Sequence, residues 1–154
     1  MFVLDLVSKR WALAALDHGE TIHLLGGILP VTLAFNTGMV FGITVRGVGR
    51  GAVLAVTIVI LALLVTLLRR GHRADPYRSW GVGLAAGGAM GNLFDRLRWT
   101  RGVVDFLGPI DLGFMLWPIF NLADVAIVTG ALLVAASFGW EERVAEEGGA
   151  DVTS

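Results

Sequence analysis

The sequence predicts a membrane-embedded, all-α helical bundle carrying a small β-rich element on its outer side, and three observations lead to that class. Of its 154 residues, 55% are hydrophobic and only 16% charged, with a mean hydropathy of +0.73; an ordinary soluble domain carries roughly 25% charged residues. Apolar stretches of helical length recur at 51–68, 79–94 and 119–138. The 21 glycines are scattered through apolar sequence rather than gathered into a repeat, as suits helices that approach closely in lipid.

Taken in order, the elements form one membrane-embedded domain over residues 1–140 with an acidic tail over 141–154. Residues 1–16 read as a short amphipathic helix: only Met1 to Leu4 precede Asp5, and Lys9-Arg10 follow. The charges come after the apolar residues, so this is no signal peptide. Residues 17–50 read as an outer β-rich segment, because Val31-Thr32-Leu33-Ala34-Phe35 has strand composition and Gly38, Gly42, Gly47 and Gly49 break any helix. From Gly51 to Leu68 every residue is apolar except Thr57 and Thr66. At about 1.5 Å per residue that covers most of a roughly 30 Å hydrocarbon core.

Arg69, Arg70, Arg73 and Arg78 follow, marking a cytoplasmic loop. A second span carries Gly83, Gly87 and Gly91 every four positions, one face able to receive another helix. The 95–118 stretch is then an outer connection. A third span starts after Trp117-Pro118, with proline in the first turn, and runs from Ile119 to Phe138 before Glu141, Glu142 and Arg143 end it. Three complete spans are expected, with residues 146–154 disordered.

Several chemistries are excluded at this level. The net charge of -1 and the lack of a basic tract argue against nucleic acid. With no cysteine there is no thiol or disulfide chemistry. His18, His23 and His72 lack metal-ligand spacing, and Ser8, Ser79, Ser137 and Ser154 have no histidine in a nucleophile motif. What remains is a pair of carboxylates, Asp105 and Asp124, in strongly apolar surroundings. An ionised group at membrane depth costs about 2.5–3.5 kcal/mol on insertion scales, so it ordinarily faces a polar cavity and has a function. Two neighbouring carboxylates share one proton and can perform acid and base steps without a metal or a covalent nucleophile.

Asn92, Asp95 and Arg96 fall on one helical face, and Asn121 lies three residues before Asp124. These groups can converge on the carboxylates, or form a structural cluster in which Asp95 balances Arg96. Asn36-Thr37-Gly38 reads equally as a turn or as an edge that holds an extended peptide. The functional alternative to acid/base catalysis is a non-catalytic scaffold or small transport component using the carboxylates for packing or proton binding.

Asn36-Thr37-Gly38-x-x-Phe41-Gly42, Gly87-Gly88-x-x-Gly91-Asn92-x-x-Asp95-Arg96, Val103-Val104-Asp105-Phe106 and Phe120-Asn121-x-Ala123-Asp124 occur in an order that closely resembles the lipoprotein signal peptidase, or signal peptidase II, family. Asp5-x-x-Ser8-Lys9 is similar to that family's first motif. The resemblance implies an aspartic endopeptidase of the bacterial inner membrane, with its site toward the periplasm and no cofactor or metal. Its substrate would be a diacylglyceryl-modified prolipoprotein, cut before the lipidated cysteine, and globomycin-type cyclic peptides would inhibit it. Asp105 and Asp124 would be the catalytic pair; Asn92, Arg96 and Asn121 would hold substrate or orient the pair, with Asn36 and Asp5 in support. Four spans, both termini cytoplasmic, a β-cradle and a periplasmic surface helix are implied as well. Two departures stand out: Met39-Val40 replaces the family's small Ala-Ala, and the first span, which should precede Asp5, is nearly absent, so that a truncated first helix is expected.

Overall fold

The computed structural model describes residues 1–37, 39–40, 43–44, 50–70 and 76–150, the side chains of 39, 40, 43, 44, 50, 67, 68, 70 and 139–150 excepted. Helix α1 (Phe2–Ala15) leads into strands β1 (Thr21–Leu24) and β2 (Leu29–Asn36), then β3 (Met39–Val40) and β4 (Ile43–Thr44). Helices α2 (Arg50–Arg70) and α3 (Pro76–Arg98) follow. Strands β5 (Val103–Leu107), β6 (Ile110–Asp111) and β7 (Leu116–Trp117) come next, and α4 (Leu122–Ala150) closes the order. The antiparallel sheet β1-β2-β5 is the largest of three, the others being the pairs β3-β4 and β6-β7.

The expected class needs correction. Seven strands in three antiparallel sheets among the described residues make this an α+β fold rather than an all-α bundle. The three complete spans are not found either: among the described residues no helix is long and apolar enough to cross a membrane. Helix α1, with 14 residues, reaches about 21 Å of a roughly 30 Å core. Helix α3 interrupts its apolar sequence with Arg78, Asn92, Asp95 and Arg96.

Helix α1 reverses the usual sense of amphipathicity. Its buried stripe is Asp5, Lys9 and Ala12, while Val3, Leu4, Val7 and Trp11 point outward. A helix that turns its charges inward needs partners for them there, and α3 and α4 supply them. Further along, Ala12 and Leu16 join Val31, Leu33, Val104 and Phe106 in the apolar core between α1 and the sheet, with Trp11 edge-on to Phe106 at 6.3 Å. Strand β5 alternates accordingly. Val104 and Phe106 face that core, and Asp105 between them points to the opposite side of the sheet.

The glycine stripe of α3 receives another helix, as expected, at two of its three positions. Gly87 and Gly91 meet α1, at Met1 and Asp5, and nothing approaches Gly83. The close approach to α4 uses other glycines: a Cβ at Gly81 would lie 2.8 Å from the Gly130 carbonyl, and one at Gly88 would strike the carbonyl of Ala123. Helix α4 starts at Leu122, later than Ile119, because Phe120 remains extended and pairs with β5. The Phe106 and Leu107 N–H groups donate to the Phe120 carbonyl at 2.9 and 2.8 Å, and the Phe120 N–H donates to the Leu107 carbonyl at 2.9 Å. At its other end α4 continues through Glu141, Glu142 and Arg143 to Ala150, so the expected disordered tail is helical over 146–150. Residues 151–154, the glycines Gly38, Gly42, Gly47 and Gly49, Phe41, and the loop positions His72, Arg73 and Asp75 lie outside the described residues.

Candidate active site

Asp105 and Asp124 arrive from different elements. Asp105 projects from the middle of β5, where Ala34 of β2 is its cross-strand partner. Asn36, two residues along β2, is therefore its diagonal neighbour on the same face, and the Asn36 amide hydrogen-bonds the Asp105 carboxyl group. Asp124 occupies the third position of α4. The N–H of Asp124 donates to Asn121 Oδ1 at 3.0 Å, and the N–H of Asn121 donates to Asp124 Oδ2 at 3.2 Å. This reciprocal capping box satisfies orphan donors at the helix start and fixes the orientation of the Asp124 side chain. Negative charge there is also favoured by the helix dipole.

Asn121 links the two carboxylates. Its Nδ2 donates to Asp105 Oδ1 at 2.6 Å, to the Val104 carbonyl at 3.3 Å and to Asn92 Oδ1 at 3.1 Å. Asn92, on α3, completes the circuit by donating from Nδ2 to Asp124 Oδ1 at 2.8 Å. Arg96 lies one turn further along α3, its Nη1 3.4 Å from the Asn92 carbonyl, and it interacts electrostatically with Asp124, then Asp105, then Asp95. Burial, reinforced by the negative charge of Asp124 and opposed by the Asn36 and Asn121 amides and by Lys9, pushes the Asp105 carboxyl up to about 7. Asp105 can thus hold a proton near neutral pH.

These groups open onto a cavity of about 1300 Å³. Asn36, Asn92, Arg96, Asp105 and Asp124 give it a polar corner, while Ile60 and Leu64 of α2 and Ile127, Val128, Val134 and Phe138 of α4 line its apolar remainder. Among the described residues no group of three or more histidine, aspartate or glutamate side chains is placed to hold a metal ion.

Of the residues singled out in the sequence, Asn36, Asn92, Arg96, Asp105, Asn121 and Asp124 meet here. Asp5 lies behind them: its Oδ1 accepts from the Ala123 N–H at 3.0 Å, capping α4 from below. The suggestion that Asp95 balances Arg96 is incomplete. Asp95 Oδ2 pairs with Lys9 Nζ at 3.0 Å and accepts from the Val104 N–H at 3.2 Å. Lys9 went unassigned in the sequence, although an aspartate four residues before a lysine is a recognisable helix pair. Gly102 was also missed; with φ +100, its missing Cβ leaves room for the Asn36 carbonyl.

Comparisons with known proteins can now be set beside this geometry. A sequence model of the family described as signal peptidase (SPase) II matches residues 1–139. The lipoprotein signal peptidase of Syntrophomonas wolfei is 41% identical over 132 residues, covering 86% of this chain and 83% of that protein. The lipoprotein signal peptidase of Mycobacterium avium is 34% identical over 149 residues, 92% of this chain and 76% of that one. The fold is similar to that of a bacterial membrane enzyme solved by the in meso method at 2.3 Å, with a TM-score of 0.80, 26% identity and coverage of 92% of this chain and 84% of that one. A second such structure, at 1.9 Å, gives a TM-score of 0.76 at 27% identity. A family match over residues 1–139, with relatives and solved structures aligned along most of their own lengths, shows that the chain belongs to the signal peptidase II family.

Proposed function

We propose that the chain is an aspartic endopeptidase that releases signal peptides from diacylglyceryl-modified bacterial prolipoproteins, cutting before the lipobox cysteine, with Asp105 and Asp124 as its catalytic pair. One observation carries the reading: two carboxylates from separate elements are joined through one asparagine, whose side-chain NH2 donates to Asp105 and whose backbone N–H donates to Asp124, at the polar corner of a large apolar cavity. The apolar remainder suits acyl chains, and the polar corner suits the peptide bond next to them.

In the proposed reaction Asp124 takes a proton from water as the water oxygen attacks the scissile carbonyl carbon. Asp105 gives its own proton to the carbonyl oxygen, so a neutral gem-diol forms. Asp124 then passes its proton to the leaving cysteine nitrogen, the C–N bond breaks, and Asp105 recovers a proton from the gem-diol as the new carboxyl group forms. Protons balance, and the pair returns to its starting state. Asn92 and Asn121 orient the carboxylates, Asn36 and Arg96 face the cavity where substrate backbone would lie, and Asp5 anchors the start of α4.

The enzyme would work in the bacterial inner membrane with this site toward the outer side. The site lies at the C-terminal end of α3, while Arg69 and Arg70 end α2 and Arg78 lies in the first turn of α3, a run of basic sequence that favours the cytoplasmic side for that end. Globomycin-type cyclic peptides would compete for the cavity. The test is cleavage of a diacylglyceryl prolipoprotein by membranes containing Asp105→Asn or Asp124→Asn. Loss of cleavage by about 100-fold or more, with membrane levels unchanged, is expected for acid-base groups; normal cleavage by either variant refutes the pair.

A further inference from the structure

Lys9 is fully buried and its ammonium makes three contacts: Asp5 Oδ2 at 2.8 Å, Asp95 Oδ2 at 3.0 Å and Asn92 Oδ1 at 2.9 Å. An ammonium donates and never accepts; here it hydrogen-bonds Asn92 and forms ion pairs with Asp5 and Asp95. We propose that Lys9 is a positioning residue for the aspartate pair, holding the Asn92 amide in the one orientation that presents its NH2 to Asp124. The inference rests on Asp105 and Asp124 being the catalytic pair.

Asn92 Oδ1 receives two donors, Lys9 Nζ and Asn121 Nδ2 at 3.1 Å, and its Nδ2 consequently donates to Asp124 Oδ1 at 2.8 Å. Rotating the amide by half a turn would set its NH2 against an ammonium and a second NH2, and would turn its oxygen toward a carboxylate. Both changes are unfavourable in a buried site. Asn121 is constrained in the same way, because its oxygen is committed to the Asp124 N–H and its NH2 is left for Asp105. The charge on α1 therefore sets amide orientation on α3, and α3 sets the environment of a carboxylate on α4.

Lys9 also has neighbours that could make it merely structural. Without it, Asp5 and Asp95 would be left buried with no cation between them, and Lys9→Met alone should lose thermal stability. The informative protein is Lys9→Met combined with Asp5→Asn and Asp95→Asn. Each new amide oxygen can still accept from the Ala123 or Val104 N–H, and no uncompensated charge is introduced. The charged groups then facing the pair are Arg96 from α3 and the two aspartates themselves, on β5 and α4.

The experiment is a pH profile of kcat and KM on a diacylglyceryl prolipoprotein peptide in detergent micelles, with thermal unfolding measured on the same samples. If Lys9 positions Asn92, the triple variant unfolds near the wild-type temperature, yet kcat falls about tenfold or more with KM little changed. A triple variant with wild-type stability and a wild-type profile overturns the proposal. Failure of both Lys9→Met and the triple variant to fold also overturns it, in favour of a structural role. Asp105→Asn and Asp124→Asn in the same assay keep the two ideas separate. Turnover by either one removes the catalytic pair, whereas two inactive aspartate variants beside an unaltered triple variant remove only the role of Lys9.

Discussion

At Asp105 burial and a neighbouring negative charge act together on a carboxyl group that is 3% exposed. Its folded-state value of about 7 exceeds the ordinary 3.8. Between those values the folded chain binds a proton that the unfolded chain has released, so this group's contribution to stability is present below about pH 4. It is lost as pH rises to about 7, and there is little further change above. Asp105→Asn has no charge to bury. Its unfolding temperature should match wild type near pH 4 and exceed it at pH 8, and equal pH dependence in the two proteins would contradict this assignment. On the proposed mechanism the same proton would set the alkaline limb of activity. With Asp105 as proton donor, turnover should fall as pH rises through about 7, which a pH-rate profile on a lipidated peptide reads directly.

Among the elements, the first turn of α4 matters most, because it caps a helix and orients the site with the same atoms. Asn121→Ala removes the N-cap and the amide to Asp105 together; a cost of about 1 kcal/mol in stability and a large loss of turnover should coincide. Asn121→Asp retains a cap but places a third carboxylate against Asp105. Thermal unfolding near wild type with activity still lost would separate the two roles, and an active Asn121→Asp protein would deny the amide its part. The contact between α3 and α4 can be tested at Gly88, where an added Cβ would strike the Ala123 carbonyl one residue before Asp124. Gly88→Ala should destabilise by about 1–3 kcal/mol and reduce turnover, since α4 must shift and carry Asp124 with it; unchanged kinetics would show that this approach has slack.

For the whole molecule, the apolar side chains lie largely on the outside and several of the charged ones lie within. Val3, Leu4, Val7, Ile58, Val59 and Leu63 are exposed, whereas Asp5, Lys9, Asp95 and Asp105 are buried. Such a surface suits the membrane setting of the solved bacterial enzyme of similar fold. Ala131→Trp, at the cavity wall on α4, should lower kcat/KM for a diacylglyceryl peptide while leaving the alkaline limb of the pH profile in place. A shift of that limb would mean that the bulk had reached the aspartates and not only the apolar part of the cavity.

Read alone, the sequence determined the chemistry. Carboxylates are conspicuous in apolar sequence because they are costly there, and the ordered motifs around Asn36, Asn92, Asp105 and Asp124 name a family. It also made β2 legible through a run of strand-forming residues at 31–35. Strand β5 was hidden, because Val-Val-Asp-Phe-Leu is too short for periodicity to separate from a connection; pairing with β2 is what makes it a strand. The start of α4 was hidden because Phe120 is held extended by β5, a partner distant in sequence. Tertiary structure alone decided that Lys9 and Asp95 belong together and that Asn121 joins the two aspartates. A buried charge or amide takes its partners from whichever elements the fold brings within about 3 Å, and no local pattern along the chain encodes that choice.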